Sequence, residues 1–136
     1  MRDVFEDLRE VALFAGCTRE ELQRVAGLGT LVAVESGQVL LREGTLGDQF
    51  VVVVEGRLGV SRASTGPIAL IGPGEFSGEM ALLNHERRSA TVTALSPAVV
   101  YVSTPGEFHA LIEIPSIGAA VRTAAAERAA VNRAAA

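Results

Sequence analysis

The chain has 136 residues, 49% of them hydrophobic, and a formal net charge of −4 with both signs interspersed along its length. That suits one domain with its own core and leaves no basic stripe by which a protein meets nucleic acid. All twelve basic residues are arginine, which removes lysine phosphate loops and Schiff-base chemistry, and the lone cysteine, Cys17, excludes an internal disulfide and a cysteine-based zinc site.

From Val4 to Leu28 apolar residues recur at helical spacing, with a break at Gly16, so two short helices are expected. Thr18 stands three residues before Glu21, the capping-box spacing, which places the second start there. From Leu31 to Ser103 the pattern turns into short β-branched runs (LVAV, QVLLR, QFVVVV, LGVS, IALI, SATVTAL, AVVYVS) separated by glycine or proline. Such runs predict a jelly-roll-like β-roll, with glycines 37, 44, 47, 56, 66, 72 and 74 mostly at its turns. After Pro105 helical character returns as FHALIEI, a break near Pro115 and an alanine-rich segment. Val121 and Val131 are the only large apolar residues there after Ile117, so weak docking is expected, as for a mobile lid or equally for a frayed tail or linker.

The fold class is therefore mainly β with flanking helices in a single domain, 1–136: N-terminal helices over 1–29, a β-roll over 30–104, and C-terminal helices over 105–136. Apolar runs such as Phe50 to Val54 are too short to span a bilayer, and the acidic start lacks a signal pattern, so a cytoplasmic location is expected.

The stretch 75–94, EFSGEMALLNHERRSATVTA, carries the chemistry. Gly78 lets backbone approach a ligand, and a helix starting at Glu79 points amide hydrogens at an anion. The Glu79 carboxylate can accept from a sugar hydroxyl, while the planar fork of Arg88 matches two phosphate oxygens. By spacing alone, a Glu and an Arg nine residues apart are an ordinary surface ion pair.

GEMALLNHERRSATV resembles the phosphate-binding cassette of cyclic-nucleotide-binding domains, and ESGQVLLREGTLGDQFVVVVEGRLGV resembles the glycine-spaced β-roll of the same family, with Gly37, Gly44, Gly47, Asp48, Phe50, Gly56 and Val60 in register. The resemblance covers nearly the whole chain, makes 75–94 the cassette with its short helix, and casts the C-terminal helices as a lid. It implies Arg88 for the phosphate, Glu79 for the ribose 2′-hydroxyl, and the amides of Gly78, Met80 and Ala81 at the cyclic phosphate. Ser89 following the arginine leans towards cAMP, with cGMP as the alternative. Val54 and Ile71 would wall the base, and Asn132 would touch the adenine edge. Two departures stand out: Arg87 replaces a common proline and is expected in solvent, and Ser77 replaces a bulky apolar residue, which would loosen the pocket wall.

The expected function is thus a cyclic-nucleotide sensor, with cAMP as the expected ligand, that couples binding to movement of the C-terminal helix; the alternative is a ligand-free β-roll serving as an interaction or dimerisation module. No enzyme activity and no metal or other cofactor is expected: His85 and His109 are the only histidines and neither has a metal-ligand partner at useful spacing. Expected partners are the nucleotide and either a second copy of the chain or an effector domain outside it, with neither nucleic acid nor a membrane.

Overall fold

The computed structural model describes residues 4–135, with side chains over 7–131. Helix α1 (Val4–Arg9), a 3-10 turn (Ala12–Phe14) and α2 (Arg19–Gly27) precede eight strands. These are β1 (Thr30–Val34), β2 (Val39–Leu41), β3 (Phe50–Glu55), β4 (Leu58–Arg62), β5 (Gly66–Ile71), β6 (Phe76–Ser77), β7 (Thr91–Ala94) and β8 (Ala98–Ser103). Helix α3 (Glu79–Asn84) lies between β6 and β7, and α4 (Pro105–Leu111) and α5 (Pro115–Ala135) close the chain.

The strands form two antiparallel four-stranded sheets, ordered β1-β8-β3-β6 and β2-β7-β4-β5. All seven strand-like runs of the sequence form strands. The added one, β6, is two residues long and pairs with β3 at Val51 and Val52, too short for any alternation to reveal.

Strand parity divides the interior. On β3, Val51 and Val53 face the space between the sheets, with Leu41, Leu58, Ile71, Val92 and Val100. Phe50, Val52 and the half-buried Val54 face the other way, onto a core shared with the helices that contains Phe14, Val25, Leu82, Phe108, Ile114 and Ile117. Alternation of side chains across a strand forces this division.

Capping fixes where the helices begin. Thr18 and Glu21 form a reciprocal capping box at α2, and Thr104 and Glu107 form another at α4, where Pro105 takes the first-turn position that lacks a hydrogen-bond partner. The far end of α2 is tied to β8, since the Tyr101 hydroxyl donates to the Val25 carbonyl at 2.6 Å and the Ser103 hydroxyl to that of Leu28 at 2.7 Å. The Val25 carbonyl also accepts from the Leu28 amide, so Tyr101 adds a second donor at the helix end.

The C-terminal helix is docked more firmly over its first half than its composition suggests. Ile117 and Val121 are fully buried, while Val131 is 66% exposed. Gly118 makes this possible: a Cβ there would stand 2.2 Å from the Ile112 carbonyl oxygen, so only glycine lets the first turn of α5 lie against the end of α4. Among the described residues no helix is long and apolar enough to cross a membrane.

Candidate functional site

Residues 75–94 wrap one end of the space between the sheets. Strand β6 brings Phe76 and Ser77 alongside β3, and Gly78 then reverses the chain at φ 98°. A Cβ on Gly78 would stand 2.7 Å from the Gln49 carbonyl oxygen and 3.0 Å from Arg88 Nη1. Glycine is required here for both its conformation and the close approach of the guanidinium.

Helix α3 then begins with Glu79 turned inward. Glu79 is 1% and Arg88 6% exposed, and they are the only charged side chains buried among the described residues. Both line the same cleft. Desolvating two charges is costly, so their placement together at a cavity marks a functional arrangement rather than a surface ion pair.

Arg88 is held by its backbone and its tip. Its amide donates to the Thr45 carbonyl and its carbonyl accepts from Gly44, which ties the cassette loop to the loop between β2 and β3. Its Nη2 donates to the Gln49 carbonyl at 2.6 Å and lies 3.6 Å from an Asp48 carboxylate oxygen. Burial pulls the Arg88 pKa down, while Asp48 and then Glu79 oppose the shift. The guanidinium remains a cation, with donors of its fork available for an anion in the cleft.

Glu79 is held by a residue that the sequence analysis did not single out. Arg128, on α5, donates through Nη1 to Glu79 Oε1 and through Nη2 to the Phe76 carbonyl at 2.7 Å. Its guanidinium also sits over the Phe76 ring, 5.3 Å from the centroid. Helical spacing carried a signal for it, because Ile117, Val121, Ala124 and Arg128 fall on one stripe and the first three are buried or packed on the core. An arginine that ends an apolar stripe brings its charge to the edge of the core. Asp48 was likewise visible only as part of the glycine-spaced pattern, not as the partner of Arg88.

Of the residues named for the site, Gly78, Glu79, Met80, Ala81, Arg88, Ser89 and Ile71 all line the cleft. Val54 does not. It faces the helix side of β3 and lines a separate groove with Val11 and Ala12, because position 54 has the parity of Phe50 and Val52 rather than of Val51 and Val53. Strand β4 supplies Val60 to the cleft instead. The side chain of Asn132 lies outside the described residues. Arg87 is exposed, as expected, yet it also donates to the Gly44 carbonyl at 2.9 Å and lines the cleft beside Arg88. Ser77 is half-buried in the cleft wall. Among the described residues no group of three or more His, Cys, Asp or Glu side chains is placed to hold a metal ion.

Burial raises the Glu79 pKa above its ordinary 4.5, against the lowering effects of Arg128, the backbone amides of Glu79 and Met80, and Arg88. A carboxyl group that takes up its proton more readily when folded favours folding below its unfolded pKa, and that stability is lost as pH rises through the folded value. Glu79→Gln should therefore melt above the wild type at pH 7 in the absence of ligand, with the difference shrinking as pH falls towards 4.5. Thermal melts across that range check the sign; a variant that melts lower at pH 7 would show that the ion pair outweighs desolvation.

Comparison with known proteins supplies the class. The family model for the cyclic nucleotide-binding domain matches residues 31–114. The acetyltransferase Pat of Mycolicibacterium smegmatis is 35% identical over 114 residues, covering 82% of this chain and 34% of that protein. A solved cAMP-binding acyltransferase from Mycobacterium smegmatis is 30% identical with a TM-score of 0.73, over 94% of this chain and 41% of the other. A cAMP-bound PfPKA-R chain superposes with a TM-score of 0.81 over 96% of this chain and 46% of the other, at 23% identity, a likeness of fold. The chain spans 13% to 34% of the curated relatives it matches. With the match running from β1 through α4 and across the whole cassette, the chain belongs to the cyclic nucleotide-binding domain family.

Proposed function

We propose that this domain is a cAMP sensor whose ligand state is coupled to the position of α5. The observation that carries the reading is the pair of buried opposite charges, Glu79 and Arg88, lining one cleft. A cyclic nucleotide offers a ribose hydroxyl to the carboxylate and an anionic phosphate to the guanidinium. The cleft has a volume of about 210 Å³. That is below the roughly 300 Å³ at the small end of pockets for drug-sized ligands, so it suits enclosure of the sugar and phosphate, with the base projecting outward. Ile71 and the exposed Leu70 lie along that path, and Ser89 at the rim favours cAMP over cGMP on the family pattern.

Coupling to α5 runs through Glu79, since the carboxylate that receives the ribose is the one Arg128 holds. With Oε1 engaged by Arg128, the carboxylate keeps a second oxygen that can accept from a sugar hydroxyl, so ligand and α5 can favour the same carboxylate position. A ligand that binds one position of α5 better than another shifts the balance between them. The domain's part is binding and relay, with chemistry left to an effector outside the domain or to a second copy.

Isothermal titration calorimetry with cAMP and cGMP, on protein freed of copurified nucleotide, tests the reading. Micromolar or tighter binding with cAMP ahead of cGMP is expected. Silence with both would return the domain to the role of an interaction module.

A further inference from the structure

We infer that Arg87 is a positioning residue for Arg88: its side chain fastens the loop between β2 and β3, residues 42–49, against the cassette, and that loop in turn aims the Arg88 fork. This role rests on the nucleotide reading above, and it falls at the position where the family commonly has proline.

The loop supplies both partners of the Arg88 tip. Nη2 donates to the Gln49 carbonyl at 2.6 Å and lies 3.6 Å from an Asp48 carboxylate oxygen, so the direction of the fork follows residues 48 and 49. Beyond Gln49 the chain is anchored, because Phe50 opens β3 and is fully buried. Before it the loop stands largely in solvent, with Leu46 65% exposed and the Asp48 side chain 81%. A loop of that kind keeps one conformation only where its backbone is tied down.

The ties are made at residues 87 and 88. The Gly44 amide donates to the Arg88 carbonyl at 2.9 Å, and the Arg88 amide donates to the Thr45 carbonyl at 2.8 Å. Leu46 forms an isolated β-bridge with Arg87. Arg87 Nη1 then donates to the Gly44 carbonyl at 2.9 Å. Gly44, at φ 84°, is thereby held at both its amide and its carbonyl. Proline at position 87 has no side-chain donor, so the last of these ties belongs to arginine. Fixing the support of a binding group lowers the cost of ordering it when ligand arrives.

Arg87 also lines the cleft, so direct contact with the phosphate is the competing role. The two roles differ in one respect: a positioning residue acts through Arg88, and a direct contact does not.

The first arm of the test uses the full chain without nucleotide. In Arg87→Ala the Gly44 and Arg88 amides should exchange about fivefold faster or more, with the Arg88 side-chain NMR signal shifted, while Val51 and Val53 on β3 keep wild-type rates. The second arm measures cAMP affinity in a double-mutant cycle. Arg87→Ala alone should weaken binding about three- to tenfold, the range for one hydrogen bond. Added to Arg88→Ala, and read by NMR titration, it should cost less than about twofold more. Arg87→Lys keeps a donor and should recover most of both effects; it also serves if the alanine variant folds poorly. Unchanged exchange at residues 44 and 88, or an equal loss of affinity in both backgrounds, overturns the positioning role. If the wild type ignores cAMP the nucleotide reading fails, and the nucleotide-free arm still decides whether Arg87 holds the loop and the Arg88 fork.

Discussion

Arg88→Ala should lower the affinity for cAMP by two to three and a half orders of magnitude while leaving the domain folded. Removing one partner of a buried ion pair costs about 3–5 kcal/mol, because the remaining charge stays desolvated without compensation, and about 1.4 kcal/mol corresponds to a factor of ten. Here the charge left behind is the ligand's phosphate. The fold should tolerate the change because the main chain of residue 88 keeps its bonds to Thr45 and Gly44 and Glu79 keeps Arg128; the side-chain bond to the Gln49 carbonyl, the Asp48 contact and the attraction of Glu79 are lost. Arg88→Lys separates charge from shape: lysine keeps the charge but cannot present two parallel donors, so it should fall between the alanine variant and the wild type. Calorimetry with cAMP, beside a thermal melt of each variant, reads both effects. An alanine variant that binds within about tenfold of the wild type would mean that the phosphate lies elsewhere.

Most of the β-roll was legible in the sequence because its strands are β-branched runs bounded by turn residues, and the capping box of α2 was legible because it depends on residues three apart. Local rules reach that far. They do not reach β6, whose two residues are a strand only because Val51 and Val52 lie opposite. The site shows the same division. Gly78, Glu79 and Arg88 lie within one continuous segment, so the motif and the cleft agree. Val54 was misplaced because a strand on which both faces are buried shows no alternation, and parity could be read only once both cores were in place. For Arg128 the apolar stripe that it ends was the one local signal, while its contact with Glu79 depends on how α5 packs against the cassette, a tertiary matter.

Arg128→Ala should weaken cAMP binding about tenfold, near 1.4 kcal/mol, although Arg128 sits on a helix outside the cassette. A hydrogen bond to a charged group contributes about 1.5–3 kcal/mol when well protected. The Arg128 side chain is 38% exposed, so solvent screening reduces that figure. The loss acts through Glu79: without Arg128, desolvation is less opposed, the carboxyl is more readily protonated, and its orientation is no longer fixed from α5. A double-mutant cycle isolates this route. Glu79→Gln alone should lower affinity, since an amide replaces the carboxylate acceptor, and Arg128→Ala in that background should add little, giving a coupling of about 1 kcal/mol. Hydrogen exchange supplies a second readout: cAMP should slow exchange along α5 in the wild type, and the variant should lose most of that protection. If Arg128→Ala binds cAMP as the wild type does and α5 is still protected, the helix is coupled by its apolar first half, where Ile117 and Val121 are buried, and not through the carboxylate.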